Sequence, residues 1–248
     1  MATSGTTGPE PLALAFDDLS GTAARTYAAK GLVRLSPILL EADAKRLEAE
    51  LRTQTGWHQH VNQNEKLFEL SRETRRNMPK STRIALDEAV YRNATNGFQF
   101  RFEGLRVSED PADWGNSLLH RFVASLNSEA ALAMFRHLTG ADDIAIADAQ
   151  ATLYSPGDFL TAHDDDVAGK NRRAAYVYSL NPVWRADWGG LLQLEQADSS
   201  TLLSLVPGWN RMTVFRVPQV HNVSLVSPAA AFPRLSITGW LRALGEVA

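Results

Sequence analysis

The stretch LTAHDDDVAGK, residues 160–170, sets His163 directly before three aspartates in a chain that has six histidines in all. In an extended segment, side chains two apart point to one face, so His163 and Asp165 would project together while Asp164 and Asp166 turn toward solvent. Such a His-x-Asp pair is a two-ligand pincer for a metal ion. Alone it is a weak motif, because a run of aspartates is most often a solvated turn. His221, in VPQVHNVSLVSP, offers a third ligand from a strand-like run further along, although a single histidine at a strand edge is more commonly structural. Two histidines and one carboxylate on strands would make a facial triad with open positions, the arrangement in which non-haem Fe(II) works with dioxygen. A zinc hydrolase could use the same ligand types with one water, so ligand identity alone leaves the chemistry open.

A fourth feature narrows it. In RLSITGWLR, residues 234–242, strand alternation puts Arg234, Ser236, Thr238 and Trp240 on one face. An arginine turned into a barrel beside a metal is costly unless it meets an anion, and its planar fork suits a carboxylate. The residues therefore point to an acidic cosubstrate. The plainer reading, a solvent-facing edge arginine, fits less well with serine and threonine in register beside it.

These residues need a scaffold. The chain has 248 residues, 44% hydrophobic and 21% charged, enough for one domain with a sizeable core. Its net charge of −3 gives no basic field for a nucleic-acid backbone, and none is expected as a partner. Zero cysteines remove thiolate ligands, disulfides and thiol nucleophiles together. No apolar run approaches the ~18 residues of a membrane span, and the N-terminus has no basic leader, so a cytoplasmic protein without a membrane is expected. Residues 1–11 read as a flexible tail. A helix is predicted over 36–54, with Ser36 and Pro37 as cap and first turn, an irregular polar stretch over 57–78, and a helix over 79–95. Phe98, Phe100 and Phe102 alternate as a strand whose stripe reads as core. Two helices follow over 117–138, broken near Asn127 and Ser128 and stopped by Gly140. After Gly140, short Val/Ile/Leu/Tyr/Thr runs between turn residues predict strands at 143–154, 173–181, 190–195, 201–206, 211–216, 220–226 and 234–243.

The ordered set LYSPGDFLTAHDDD, RRAAYVYSLNPVW, WGGLLQL, PGWNRMTVFRVPQVHNVSLV and RLSITGWLR resembles iron- and 2-oxoglutarate-dependent oxygenases of the prolyl 4-hydroxylase-like branch. The resemblance implies an α+β chain with a mainly β core: a double-stranded β-helix (jelly roll, cupin-like) with N-terminal helices packed on one sheet. It implies a single domain over 12–248, with helical support and a substrate loop in 12–140 and the jelly roll in 141–248. It makes His163, Asp165 and His221 the Fe(II) ligands and the catalytic residues, and Arg234 the partner of the far carboxylate of 2-oxoglutarate. Tyr154 would reach the same carboxylate or the site mouth, Ser236 and Thr238 would add hydrogen bonds, and Leu192 would pack against the cosubstrate. Where oxygen-sensing members carry a tyrosine before the LN of the next strand, this chain has Ser179, with tyrosines at 176 and 178. Arg234 stands where the branch often has lysine. The implied reaction consumes 2-oxoglutarate and O2, with ascorbate as an accessory reductant, and hydroxylates a prolyl residue of a protein, such as a component of the translation machinery. Alternatives are a free amino acid or small metabolite as substrate, or a cupin-like module that binds without turnover. With Asp165 present as a ligand, halogenation is disfavoured.

Other residues carry weaker readings. His58 and His60 in WHQH could be a second metal pair but have no third ligand nearby, and the segment 57–78 is equally a substrate lid or a solvated loop. His120 and His137 sit in amphipathic helices as structural or surface residues. Arg172 and Arg173 could face solvent or an acidic substrate.

Overall fold

The computed structural model describes residues 9–16, 21–63 and 66–245. In chain order these form α1 (Thr22–Lys30), β1 (Leu32–Leu35), α2 (Glu41–Thr53), β2 (His58–Gln63), β3 (Lys66–Ser71), α3 (Arg72–Asn77) and α4 (Lys80–Asn93). Next come β4 (Phe100–Arg106), α5 (Leu118–Leu126), α6 (Glu129–Thr139), β5 (Ile144–Ala147), β6 (Gln150–Tyr154) and β7 (Phe159–His163). The chain closes with β8 (Arg172–Ser179), β9 (Leu192–Glu195), β10 (Leu202–Leu205), β11 (Arg211–Arg216), β12 (His221–Val223) and β13 (Arg234–Ala243).

The strands run in the order β1-β11-β8-β13-β6-β4-β7-β12-β9-β10, with β5 beside β13 and the β2–β3 hairpin beside β4. Neighbours pair antiparallel, and the sheet curls so that β6, β8 and β13 face β7, β9 and β12 across a cavity. Strand alternation sorts the side chains. On β8, Tyr176 and Tyr178 point outward with Met212, Val214, Leu235 and Ile237 into the main core, where Leu47, Leu51, Phe122 and Phe135 cover them from α2, α5 and α6. Ala175, Val177 and Phe215 turn inward instead, with Leu192 and Leu194 of β9. The helices thus cover one face of the sheet, and the other face is left to line a site.

Local rules explain the helix ends. Ser117 and Ser128 accept the backbone N–H of His120 and Ala131, and Gly140, at φ 72°, closes α6. The predicted break at Asn127 and Ser128 falls where the structure has it. The helix predicted from Ser36 begins instead at Glu41. Ile38 and Leu39 give their N–H groups to Asn210 Oδ1 at 3.2 and 3.0 Å, and the Leu39 carbonyl accepts from Asn210 Nδ2 at 2.7 Å. With its hydrogen bonds spent on Asn210, that stretch stays extended.

The stretch 57–78 is likewise not irregular, since it holds β2, β3 and α3. Gln59, His60, Val61 and Asn62 are all buried, so β2 is covered on both faces and shows no alternation. Its amides bond β4 and its approach: Asn62 Nδ2 donates to the Phe98 carbonyl at 2.9 Å, and Phe100 N–H donates to Asn62 Oδ1 at 2.9 Å. The predicted tail lies mostly outside the described residues. Leu12, just past it, is buried and donates to Ser125 Oγ at 2.6 Å. No helix among the described residues is long and apolar enough to cross a membrane.

Candidate active site

His163 is the last residue of β7 and His221 the first of β12, and the two are direct cross-strand partners. Their ring centroids stand 4.2 Å apart. Each ring is turned by its own backbone: His163 Nδ1 lies 3.0 Å from the Thr161 carbonyl and His221 Nδ1 2.7 Å from the Gln219 carbonyl. With Nδ1–H donating to a carbonyl, the lone pair is left on Nε2, the arrangement that prepares an imidazole for a metal. The two Nε2 atoms converge on one carboxylate, Asp165, at 3.5 Å from Oδ1 and 3.4 Å from Oδ2. Among the described residues this is the group of three able to hold an ion, with one ligand atom from each within 4.8 Å of the others.

Asp165 arrives by a route that strand geometry does not supply. β7 ends at His163, and Asp165 has φ 65°, a left-handed conformation uncommon for a non-glycine residue. The carboxylate therefore turns inward through a kink rather than by alternation. Asp164 and Asp166 are exposed on either side, as the sequence implied. Burial pushes the Asp165 carboxyl up, but the neighbouring His163 and His221 outweigh it and hold the group below its ordinary value. Burial, with His163 beside it, pulls His221 down to about 4. The centre is thus an ionised carboxylate facing a neutral imidazole, which is a ligand set ready for a cation.

A cavity of about 120 Å³ continues inward from His221 and Asp165. Tyr154, Leu192, Thr238 and Trp240 line it, and Arg234 stands in its wall. Arg234 is 1% exposed, with Nε and Nη1 lacking any hydrogen-bond partner. Burial draws its pKa down, and the group opposing that is Tyr154, its cross-strand partner on β6. Among the described residues no carboxylate pairs with this cation, so the cavity suits an anion brought from outside. The Tyr154 ring, itself stacked on Phe102 at 5.1 Å, holds the guanidinium at 5.3 Å. Ser236 lies one step deeper, fully buried, with its hydroxyl unpartnered and outside the cavity wall. Thr238 Oγ1 reaches the Gln150 carbonyl at 3.5 Å.

The WGG turn makes room for the arginine. A Cβ on Gly190, at φ 62°, would come 3.2 Å from Arg234 Cδ, and one on Gly189 would run into the Leu225 carbonyl. The tyrosines that follow the site are engaged elsewhere: Tyr176 donates to the Asp148 carbonyl at 2.7 Å and Tyr178 to Asn210 Oδ1 at 2.8 Å. With both hydroxyls engaged, neither tyrosine stands in for the one expected where Ser179 lies.

Two features escaped the sequence reading. The phenylalanine stripe is not simply core: Phe102 is buried, Phe100 half-buried and Phe98 47% exposed, with its ring 5.3 Å from that of His163 at the site mouth. Period-2 spacing identifies the face but not what covers it. Arg172 reaches back to Asp165, donating from Nη1 to its carbonyl at 2.9 Å. His58 and His60, which the sequence left without a third ligand, also part company in the structure: His58 is exposed on the Gly56 carbonyl while His60 is buried 3.7 Å from Glu69.

A curled antiparallel sheet carries two histidines and an aspartate at one end and a buried arginine behind them, the ligand types that a non-haem Fe(II) facial triad uses. Residues 149–242 match the model of the 2OG-Fe(II) oxygenase superfamily. Prolyl 3-hydroxylase OGFOD1 of Mus musculus is 36% identical over 115 residues, which cover 44% of this chain and 21% of that protein. A prolyl-4-hydroxylase from Pseudomonas putida shares the fold with a TM-score of 0.57 at 19% identity, over 90% of this chain and 98% of that one. A Trichoplax adhaerens prolyl hydroxylase, solved with a hypoxia inducible factor peptide fragment, does so with a TM-score of 0.59 at 13% identity, over 91% and 89% of the two chains. The family takes Fe(II), 2-oxoglutarate and O2, and the residues present fit them: an acceptor set of two Nε2 atoms and one carboxylate, and an orphaned guanidinium for a dicarboxylate.

Proposed function

We propose that this chain, acting as one domain over residues 12–248, is a 2-oxoglutarate-dependent dioxygenase that hydroxylates a prolyl residue of a protein. The observation that carries the reading is Arg234, a fully buried cation with unpartnered N–H groups, in the wall of the cavity that ends at His163, Asp165 and His221. Iron with 2-oxoglutarate and dioxygen supplies C–H hydroxylation coupled to decarboxylation to succinate and carbon dioxide. The chain supplies the rest. His163, Asp165 and His221 hold the metal, and Arg234 pairs with the far carboxylate of the cosubstrate through its fork. Tyr154 and Thr238 border that carboxylate, Ser236 sits behind it, and Leu192, Val177, Phe215 and Val223 keep water from the cavity. Asp165 occupies the carboxylate position, which disfavours halogenation.

The prolyl assignment draws support from the relatives, whose names are prolyl hydroxylases, and from the site mouth. Exposed Phe98 borders a hollow of about 510 Å³ with Leu67, Asn93, Asn96 and Phe100, an apolar and amide-lined surface suited to a neutral peptide segment. Mass spectrometry of proteins from cells with and without this gene tests it. The expected result is a proline that loses a one-oxygen mass gain when the gene is absent. No such proline, together with succinate release stimulated by a free amino acid, overturns the protein substrate in favour of a small one.

A further inference from the structure

The left-handed kink that brings Asp165 into the site is gripped from one side by a residue with no assigned part in the chemistry. Arg172, at the start of β8, donates from Nη1 to the Asp165 carbonyl at 2.9 Å and lies 3.5 Å from Asp165 Oδ1. Its guanidinium carbon rests 3.5 Å above the Trp240 ring, a close cation–π stack that fixes the plane of the fork. Its Nε is buried without a partner, and its cross-strand neighbour Arg242 takes the nearby acids, Glu109 at 2.8 Å and Asp148 at 3.3 Å. Asp165 is thus the carboxylate within ion-pair range of Arg172. The two oxygens of Asp165 are not equivalent: Oδ1 faces Arg172 and His163, whereas Oδ2 faces His221.

We infer that Arg172, braced on Trp240, is a positioning residue that holds Asp165 in its left-handed conformation and claims one of its carboxylate oxygens, so that the metal meets a carboxylate of fixed rotation. The inference rests on the metal reading of the site. A lysine at 172 would keep the charge but lose the planar group that stacks on Trp240 and so aims Nη1 at both the Asp165 carbonyl and Oδ1. Groups that orient metal ligands typically change affinity by about 10- to 100-fold when removed.

The test loads Co(II) anaerobically into wild type, Arg172→Gln, Arg172→Lys and the control Arg173→Gln, whose exposed arginine pairs with Asp143. Affinity and the visible Co(II) absorption, which reports ligand number and geometry, are read with the melting temperature of each metal-free protein. Arg172→Gln is expected to bind Co(II) about 10- to 100-fold more weakly with an altered spectrum. Arg172→Lys is expected to recover affinity only in part, and Arg173→Gln to match wild type. Wild-type affinity and spectrum in Arg172→Gln overturn the inference and leave the metal site standing. Weakened binding with an unchanged spectrum and a lowered melting temperature assigns Arg172 to the fold alone, which also overturns it. A wild type that binds no Co(II) overturns the metal reading itself.

Discussion

At the level of single residues, the site is defined by charges that the apo protein leaves unbalanced. Replacing Arg234 with methionine removes a buried cation that has no carboxylate partner among the described residues, so the metal-free protein should gain about 1–3 kcal/mol, read as a melting point several degrees higher. The same variant should lose at least about 10-fold in 2-oxoglutarate affinity while retaining Fe(II), because charge-assisted hydrogen bonds contribute about 1.5–3 kcal/mol each. Isothermal titration under anaerobic conditions separates the two effects. His221 gives a pH signature. Its folded value of about 4 lies below the ordinary 6.5, so between those limits the unfolded chain binds a proton that the folded one does not. Its contribution to apo stability, on the order of 3 kcal/mol, is complete above pH 6.5 and is lost as pH falls toward 4. The difference in melting temperature between wild type and His221→Gln should track that window. Asp158, which burial pushes up to about 7, gives a slope of opposite sign but cancels in this difference. His163, Asp165, His221 and Arg234 were legible as residue types at telling positions. The route of Asp165 was not, because a positive φ leaves no mark on an aspartate within HDDD. Arg172 was legible only as one of two equivalent arginines, since the loop between it and Asp165 decides which of them turns back.

At the level of elements, periodicity marked the helices with one buried face and apolar runs marked the core strands, while elements with neither signal went unread. α5 and α6 bury one face and carry their serine caps and Gly140, whereas β8, β11 and β13 are buried on both faces, between the helices and the cavity, and show as short apolar runs. β2 is buried on both faces with polar side chains whose partners lie on β4 and its approach, so its composition read as loop. α1 buries Tyr27 alone and carries little apolar periodicity to notice. The Gly189–Gly190 turn is an element whose backbone serves the site directly. A Gly190→Ala substitution forces a side chain into left-handed backbone, at a cost of roughly 1–2 kcal/mol. Its Cβ would also press on Arg234 Cδ at 3.2 Å and Val226 Cγ2 at 3.1 Å. A lowered melting temperature together with weaker 2-oxoglutarate binding is the expected outcome. A lower melting temperature with unchanged binding would show that Arg234 can shift aside without loss.

For the whole molecule, curling the sheet brings together groups that lie far apart in sequence: β6 with Tyr154, β7 with His163, β12 with His221 and β13 with Arg234 line one cavity or its rim. The antiparallel order that achieves this could not be read from any single strand, since β4 bridges β6 and β7 while β12 lies between β7 and β9. The jelly-roll class, though not its strand order, was reached through the likeness of five ordered segments. The helical face of the same sheet, with Phe122, Phe135, Leu47 and Leu51 fully buried, is what keeps the curvature fixed. The most direct test of the site as a catalytic centre is succinate release on admitting air to protein loaded anaerobically with Fe(II) and 2-oxoglutarate. Wild type should release succinate even without substrate, at a low uncoupled rate, and Asp165→Ala should release far less. Equal release by the two proteins, with or without an added proline peptide, would contradict the assignment of Asp165 and with it the catalytic role of this site.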